Sequence, residues 1–180
     1  LFIGEAPGVS EDAWAQPFVG PAGQLLDKII ERSLPTDTLC AMTNLVACFP
    51  REAKGRGDNE PERGEILECR PRLVEFVNIA RPKLVVTVGT LAEQYIRAMC
   101  PPDCPRVHIV HPAAILAHMP VAQKGFAVQE CVVQVRNAYS DALQTGGEFQ
   151  PWETEHAGCK TQREQLRRIY RAAEERDIPF

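Results

Sequence analysis

Four short runs of the chain are almost continuously apolar and rich in β-branched residues: Leu1 to Ile3, Leu39 to Val46, Leu84 to Val88 and Val107 to Val110. Between them, apolar residues recur every three or four positions. Gln24 to Leu34 carries Leu25, Leu26, Ile29, Ile30 and Leu34 on one stripe, and Glu62 to Ala80 carries Ile66, Leu67, Leu73, Val74 and Val77. Leu91 to Met99 and Phe126 to Leu143 add two more such stretches, the second with Val128, Cys131, Val132, Val135 and Tyr139. Strands that are apolar on both faces must be covered on both faces. Their alternation with helical stretches predicts crossover units. The expected fold is α/β, a three-layer α/β/α sandwich around a central, mainly parallel four-stranded sheet.

The interruptions of this pattern place the loops. Residues 49 to 63, FPREAKGRGDNEPER, have no buried period and much charge, glycine and proline, which reads as a surface loop ahead of the second long helix. CPPDCP at 100 to 105 reads as a stiff turn before the fourth strand. Beyond about Thr145 the chain turns polar, and TQREQLRRIYRAAEERD suggests a last amphipathic helix, with five cations between Lys160 and Arg171. Residues 1 to 180 are read as a single domain, with the tail from 145 onward the least certain part of it. There are no internal repeats.

Composition narrows the function classes. At 180 residues and 44% hydrophobic content the chain can bury a sizeable core. No run approaches the about 18 apolar residues of a membrane span, and the start lacks the basic-then-apolar profile of a signal peptide. Seven cysteines, an odd and scattered set, fit reduced thiols or metal ligation better than a disulfide framework. A soluble, cytoplasmic monomer is expected, with no membrane partner. The net charge of −4 gives no global attraction to polyanions, so contact with nucleic acid would need cations gathered on one face.

Candidate chemistry gathers at the strand ends, because ligands of open parallel sheets bind at the carboxyl edge. Gly4-Glu5 follows the first strand, Asn44 ends the second, and His111-Pro112 follows the fourth. A carboxylate, a carboxamide and an imidazole converging on one edge suit a small polar ring. Taken singly, each has an ordinary reading. Glu5 and Asp12 could be turn or helix N-terminal carboxylates, Asn44 a loop tie, His111 a half-buried histidine and Phe18 a core ring. Their joint spacing is what points to a site.

Four stretches, GEAPGVSEDAWAQPFVGPAGQLLD, TNLVAC, EILECRPRL and VHIVHPAAIL, resemble in order the signatures of the uracil-DNA glycosylase superfamily, most nearly its iron-sulfur family 4. The resemblance runs from Leu1 to about Ala117. It implies an enzyme that flips a pyrimidine, uracil above all, out of DNA and hydrolyses its N-glycosidic bond to leave an abasic site. It implies a stacking role for Phe18, reading of the ring by Asn44, and a donor from His111 to O2 of the leaving base. Glu5, Glu11 and Asp12 are all candidates to orient water and face a sugar cation. Gly4 and Ala6 would line the base pocket, and Ala6 stands where the better known branch of the superfamily has an acidic residue. Pro7 and Gly8, the loop cations Arg51, Lys54 and Arg56, and His118 would face DNA.

Family 4 carries a 4Fe-4S cluster on four cysteines, two of them upstream of the GEAPG strand. Cys48 and Cys69 match the other two. The upstream pair has no counterpart in a chain that begins at Leu1: either an upstream segment is missing, or the cluster is lost or rebuilt from Cys40, Cys100, Cys104, Cys131 or Cys159. The loop after Cys48 is longer than family 4 suggests. It lacks the histidine by which a related branch traps DNA covalently, so a basic flap on phosphates, or a solvated charged loop, is expected instead. AWAQ at 13 to 16 departs from the family pattern and puts Trp14 at the pocket mouth. Two other readings follow: a glycosylase for a bulkier modified base, such as those of phage DNA, and a non-catalytic DNA-binding module.

Overall fold

A computed structural model describes residues 1–50, 60–101, 103–146 and 148–153. Arg51, Lys54 and Arg56, the predicted C-terminal helix, and Cys159 lie outside the described residues. Among the described residues four strands, β1 (Phe2–Gly4), β2 (Met42–Asn44), β3 (Val85–Val88) and β4 (Arg106–Ile109), form one sheet in the order β2-β1-β3-β4. Every pairing is parallel, with Gly4 opposite Asn44, Phe2 opposite both Met42 and Val86, and Val86 opposite Val107. All four carboxyl ends therefore share one edge, as the alternation of strands and helices predicts.

Among the described residues six helices cover the sheet: α1 (Val9–Trp14), α2 (Pro21–Ser33), α3 (Arg63–Ala80), α4 (Thr90–Met99), α5 (Pro112–His118) and α6 (Val121–Thr145). The two-residue alternation of the strands divides the core. Phe2, Val86, Val88 and Ile109 point into one layer with Leu26, Ile29, Ile115 and Val132, from α2, α5 and α6. Ile3, Leu45 and Val85 point into the other, with Leu73, Val77 and Ile96 from α3 and α4. Side chains buried to this degree contribute about 1.5–3 kcal/mol each. That is why continuous apolar runs, which leave no polar face, end up in a sheet covered on both sides.

Several boundaries differ from the sequence pattern. The β2 strand is only three residues long: Leu39 is exposed, and the register with β1 begins at Met42. α2 starts three residues early, since Pro21 is pre-shaped for a helical first turn after Gly20. α1 and α5, of six and seven residues, have no clear apolar stripe to announce them. The polar stretch after Thr145 is not free of the fold: Trp152 is only 2% exposed and packs in the α3/α4 layer. Its backbone N–H donates to Asn78 Oδ1 at 2.8 Å, and Asn78 Nδ2 donates back to its carbonyl at 3.0 Å.

Candidate active site

The two central strands both end in glycine, Gly4 on β1 and Gly89 directly after β3. On the outer strands the polar residues stand beside them, Asn44 at the end of β2 and His111 two residues beyond β4. Each leans inward over a glycine. A Cβ placed on Gly4 would come within 2.5 Å of Asn44 Oδ1 and 2.6 Å of Phe18 Cζ, and one on Gly89 within 3.2 Å of His111 Cβ and Cδ2. At Gly4 a side chain would have to displace the amide or the ring, and at Gly89 it would press tightly on the imidazole, so glycine leaves a side-chain-free floor where neighbouring residues close in. Gly89 also has φ +96°, a conformation glycine adopts freely.

Phe18 reaches this floor from the segment between α1 and α2. It is 9% exposed, packs in the α2 layer, and has φ 59°, in the left-handed region uncommon for a non-glycine residue. Gly23 permits the bend, because a side chain there would collide with the Phe18 carbonyl. The α1 turn is tied to the same segment by Glu11, whose Oε2 accepts from Gly8 N–H at 3.1 Å and whose Oε1 accepts from Gly20 N–H at 2.8 Å. Glu11 thus uses both oxygens to join the GEAPG and PFVG turns.

His111 caps α5: its Nδ1 accepts from the Ala113 N–H at 3.1 Å. In the neutral ring that leaves the proton on Nε2, a hydrogen-bond donor. Burial pushes the imidazole below its ordinary value of 6.5, and the nearby Glu11 carboxylate offsets part of this. Glu5 is half-buried next to Gly4, and burial first, then Glu60, raises its carboxyl above the usual range.

A cavity of about 500 Å³ opens at this edge, within the size range of small-molecule sites. Asn44, 6% exposed, lies on its wall with Pro7, Glu11, Asp12, Gln16 and Phe49. Phe18 and His111 are not on this wall; they stand against Gly4 and Gly89 instead. Gly8 is exposed, Ala6 packs beside the α3/α4 layer, and His118 is exposed at the end of α5. Trp14 is 74% exposed at the end of α1 and leaves the cavity wall to its neighbours Ala15 and Gln16. The sequence pattern did not single out Gly89 or Arg72. A glycine straight after an apolar strand, the VTVG of β3, was the one available sign of the first. Arg72 gave none, since its partners are remote in sequence.

A 4Fe-4S cluster requires four thiolates. Cys48 is an exposed free thiol beside the cavity, and Cys69 is a half-buried one on α3. Among the described residues, no group of three or more Cys, His, Asp or Glu is gathered to hold a metal. The described residues therefore do not make up a cluster site. Likewise, no helix among them is long and apolar enough to cross a membrane.

Curated relatives match about half of this chain. The proteins named Type-4 uracil-DNA glycosylase from Sulfurisphaera tokodaii and Saccharolobus solfataricus are each 39% identical over 97 residues, covering 53% of this chain and 42% and 43% of their own lengths. The protein of that name from Pyrobaculum aerophilum is 35% identical over 92 residues, covering 51% of this chain and 44% of its own. The matched stretch thus spans less than half the length of these relatives. The model of the Uracil DNA glycosylase superfamily matches residues 1–132, from β1 through α5 and into α6. With all four strands, Phe18, Asn44 and His111 inside that match, the chain belongs to the uracil DNA glycosylase superfamily.

Proposed function

We propose that the protein excises uracil from DNA by hydrolysing the N-glycosidic bond. The observation that carries this reading is the inward lean of Asn44 and His111 over two glycine-ended central strands, with the Phe18 ring against the same floor as Asn44. The names of the relatives support it.

A base inside a duplex is out of reach, so the nucleotide must be everted. Phe18 offers a ring on which it stacks. The carboxamide of Asn44 matches the edge of uracil: Nδ2–H donates to O4 and Oδ1 accepts from N3–H, whereas cytosine presents the reverse pattern. As the bond between C1′ and N1 breaks, its electron pair moves into the pyrimidine and the sugar becomes cationic. His111, neutral with its proton on Nε2, donates to O2 of the leaving anion without having to lose a proton first. Glu11 is committed to Gly8 and Gly20, which leaves Glu5 and Asp12 as carboxylates to face the sugar and orient water. Water adds to C1′ and its proton passes to a carboxylate. Pro7, on the cavity wall, and Gly8 and His118, both exposed, would serve as contacts for DNA, with Arg51, Lys54 and Arg56 as further phosphate contacts. A cluster bound through Cys48 and Cys69 has no part in these steps.

Incubation of the purified protein with oligonucleotides bearing a single uracil, followed by strand scission at abasic sites, tests the proposal. Uracil release that Asn44→Ala and His111→Ala each reduce by about 10²–10³, with DNA binding kept, is expected. A protein that binds DNA and releases no base overturns the enzymatic reading. Release of a modified pyrimidine but not uracil overturns the assignment of the base.

A further inference from the structure

β2 is an edge strand of the sheet and only three residues long, yet it carries the amide proposed to read the base. Its ladder with β1 runs through the Ala41 carbonyl, which accepts from Phe2 N–H at 2.9 Å, and the Leu45 amide, which donates to the Gly4 carbonyl at 3.0 Å. Backbone groups alternate sides along a strand, so the Asn44 carbonyl faces the open edge, where no strand among the described residues holds it.

Arg72 fills that place from α3. Its Nη2 donates to the Asn44 carbonyl at 2.6 Å and its Nη1 to Thr43 Oγ1 at 3.1 Å. Arg72 also lines the Asn44 cavity. Among the described residues no carboxylate stands within ion-pair distance of it, and its Nε is buried without a partner. A half-buried cation with no counter-ion among the described residues is costly to keep, and its two neutral acceptors there compensate it in part. Thr43 and Asn44 face opposite sides of the sheet, and one planar fork takes a side-chain oxygen of the first and the backbone of the second.

Resting on the uracil reading above, we infer that Arg72 is a positioning residue that fixes the Asn44 amide through the backbone of β2 and thereby sets the preference for uracil over cytosine. A reading amide has to be held within about 0.5 Å of its productive place, and a shift of about 1 Å can cost 10²-fold in rate. A three-residue edge strand cannot provide that precision by itself.

The test is single-turnover excision from uracil and cytosine oligonucleotides, with DNA affinity and thermal unfolding measured in parallel, on the parent chain, Arg72→Met and Arg72→Lys. Arg72→Met is expected to lower uracil excision roughly 10- to 100-fold, to narrow the uracil-to-cytosine ratio, and to leave uracil-DNA affinity within about threefold. Lysine, a point donor that cannot span both acceptors, is expected to fall between the two. Parental rate and base preference in Arg72→Met overturn the brace, as does a loss of affinity equal to the loss of rate, which makes Arg72 a DNA contact. If Arg72→Met fails to fold, the lysine variant decides, and parental behaviour there overturns the proposal. A parent chain that leaves uracil in place overturns the functional reading instead.

Discussion

Asn44 and Gly4 face each other across neighbouring parallel strands, and the amide oxygen of Asn44 lies 2.5 Å from where a Gly4 side chain would begin. The Phe18 ring closes the same space at 2.6 Å. One missing methyl group thus lets a carboxamide and an aromatic ring meet at the end of β1.

Gly4→Ala should therefore strike the site more than the fold. The added carbon must push aside either the amide or the ring, while β1 keeps its backbone pairing with β2 and β3. Overpacking of this kind costs about 1–3 kcal/mol. Uracil excision is expected to fall by about 10² or more, with a modest drop in unfolding midpoint. Single-turnover kinetics beside thermal unfolding check both parts, and full activity in a folded Gly4→Ala protein would remove this floor from the mechanism.

Glu11 should prove a clamp for the turns. Its two oxygens each accept a backbone N–H, from Gly8 and from Gly20. Glutamine has one carbonyl oxygen and can satisfy only one of them, turning an NH₂ toward the other. A lost charge-assisted bond of this sort costs about 1.5–3 kcal/mol where it is shielded from water, and less at this half-exposed site. Urea unfolding of Glu11→Gln is expected to show a lower midpoint with an unchanged slope. An unchanged midpoint means that the two turns hold together without the carboxylate.

Much of this was legible in the sequence because burial on both faces leaves a plain signature. VVTV of β3 and the three-four stripes of α2, α3 and α6 could adopt few other structures, and the match of the GEAPG, TN and HP stretches to one family fixed where the strands end. The unread parts depend on contacts between distant residues. Phe18 looks like any core ring in sequence; its left-handed backbone is set by the approach of Gly23. Gly89 is set apart by its positive φ and by His111 of the next strand connection leaning over it, neither of which the sequence displays. Trp152 sits in a polar tail, and its burial depends on Asn78, 74 positions away.

Gly89→Ala carries two penalties that Gly4→Ala does not combine. At φ +96° a side chain is strained, and the new carbon sits 3.2 Å from His111 Cβ and Cδ2. Strain of this kind costs about 1–3 kcal/mol. The variant is expected to unfold earlier than the parent and to lose excision through a displaced imidazole. Measuring DNA binding beside excision separates these effects: binding should survive in the folded fraction, and parental excision would show that His111 does not depend on this floor.

The pH dependence of stability should expose the neutral state of His111. Burial holds its folded value below the ordinary 6.5, with Glu11 pulling weakly the other way. The unfolded chain thus takes up a proton at this residue before the folded one does, and stability rises with pH wherever that difference exists. His111 accordingly contributes its full stabilisation above about 6.5, begins to lose it as pH falls below that value, and has lost it once pH is below the lowered folded value. Protonation of the folded ring also removes the acceptor for Ala113 N–H, so the start of α5 should loosen as pH falls through the lowered folded value. Unfolding midpoints of the parent and His111→Gln, taken from pH 8 downward, should differ by a constant above about 6.5 and shift relative to each other below it. In Glu11→Gln, where the raising influence is gone, the loss should extend to lower pH. A parent-to-variant difference that stays flat through the acid range would mean that the folded and unfolded values coincide, and that the ring is not held neutral by its burial.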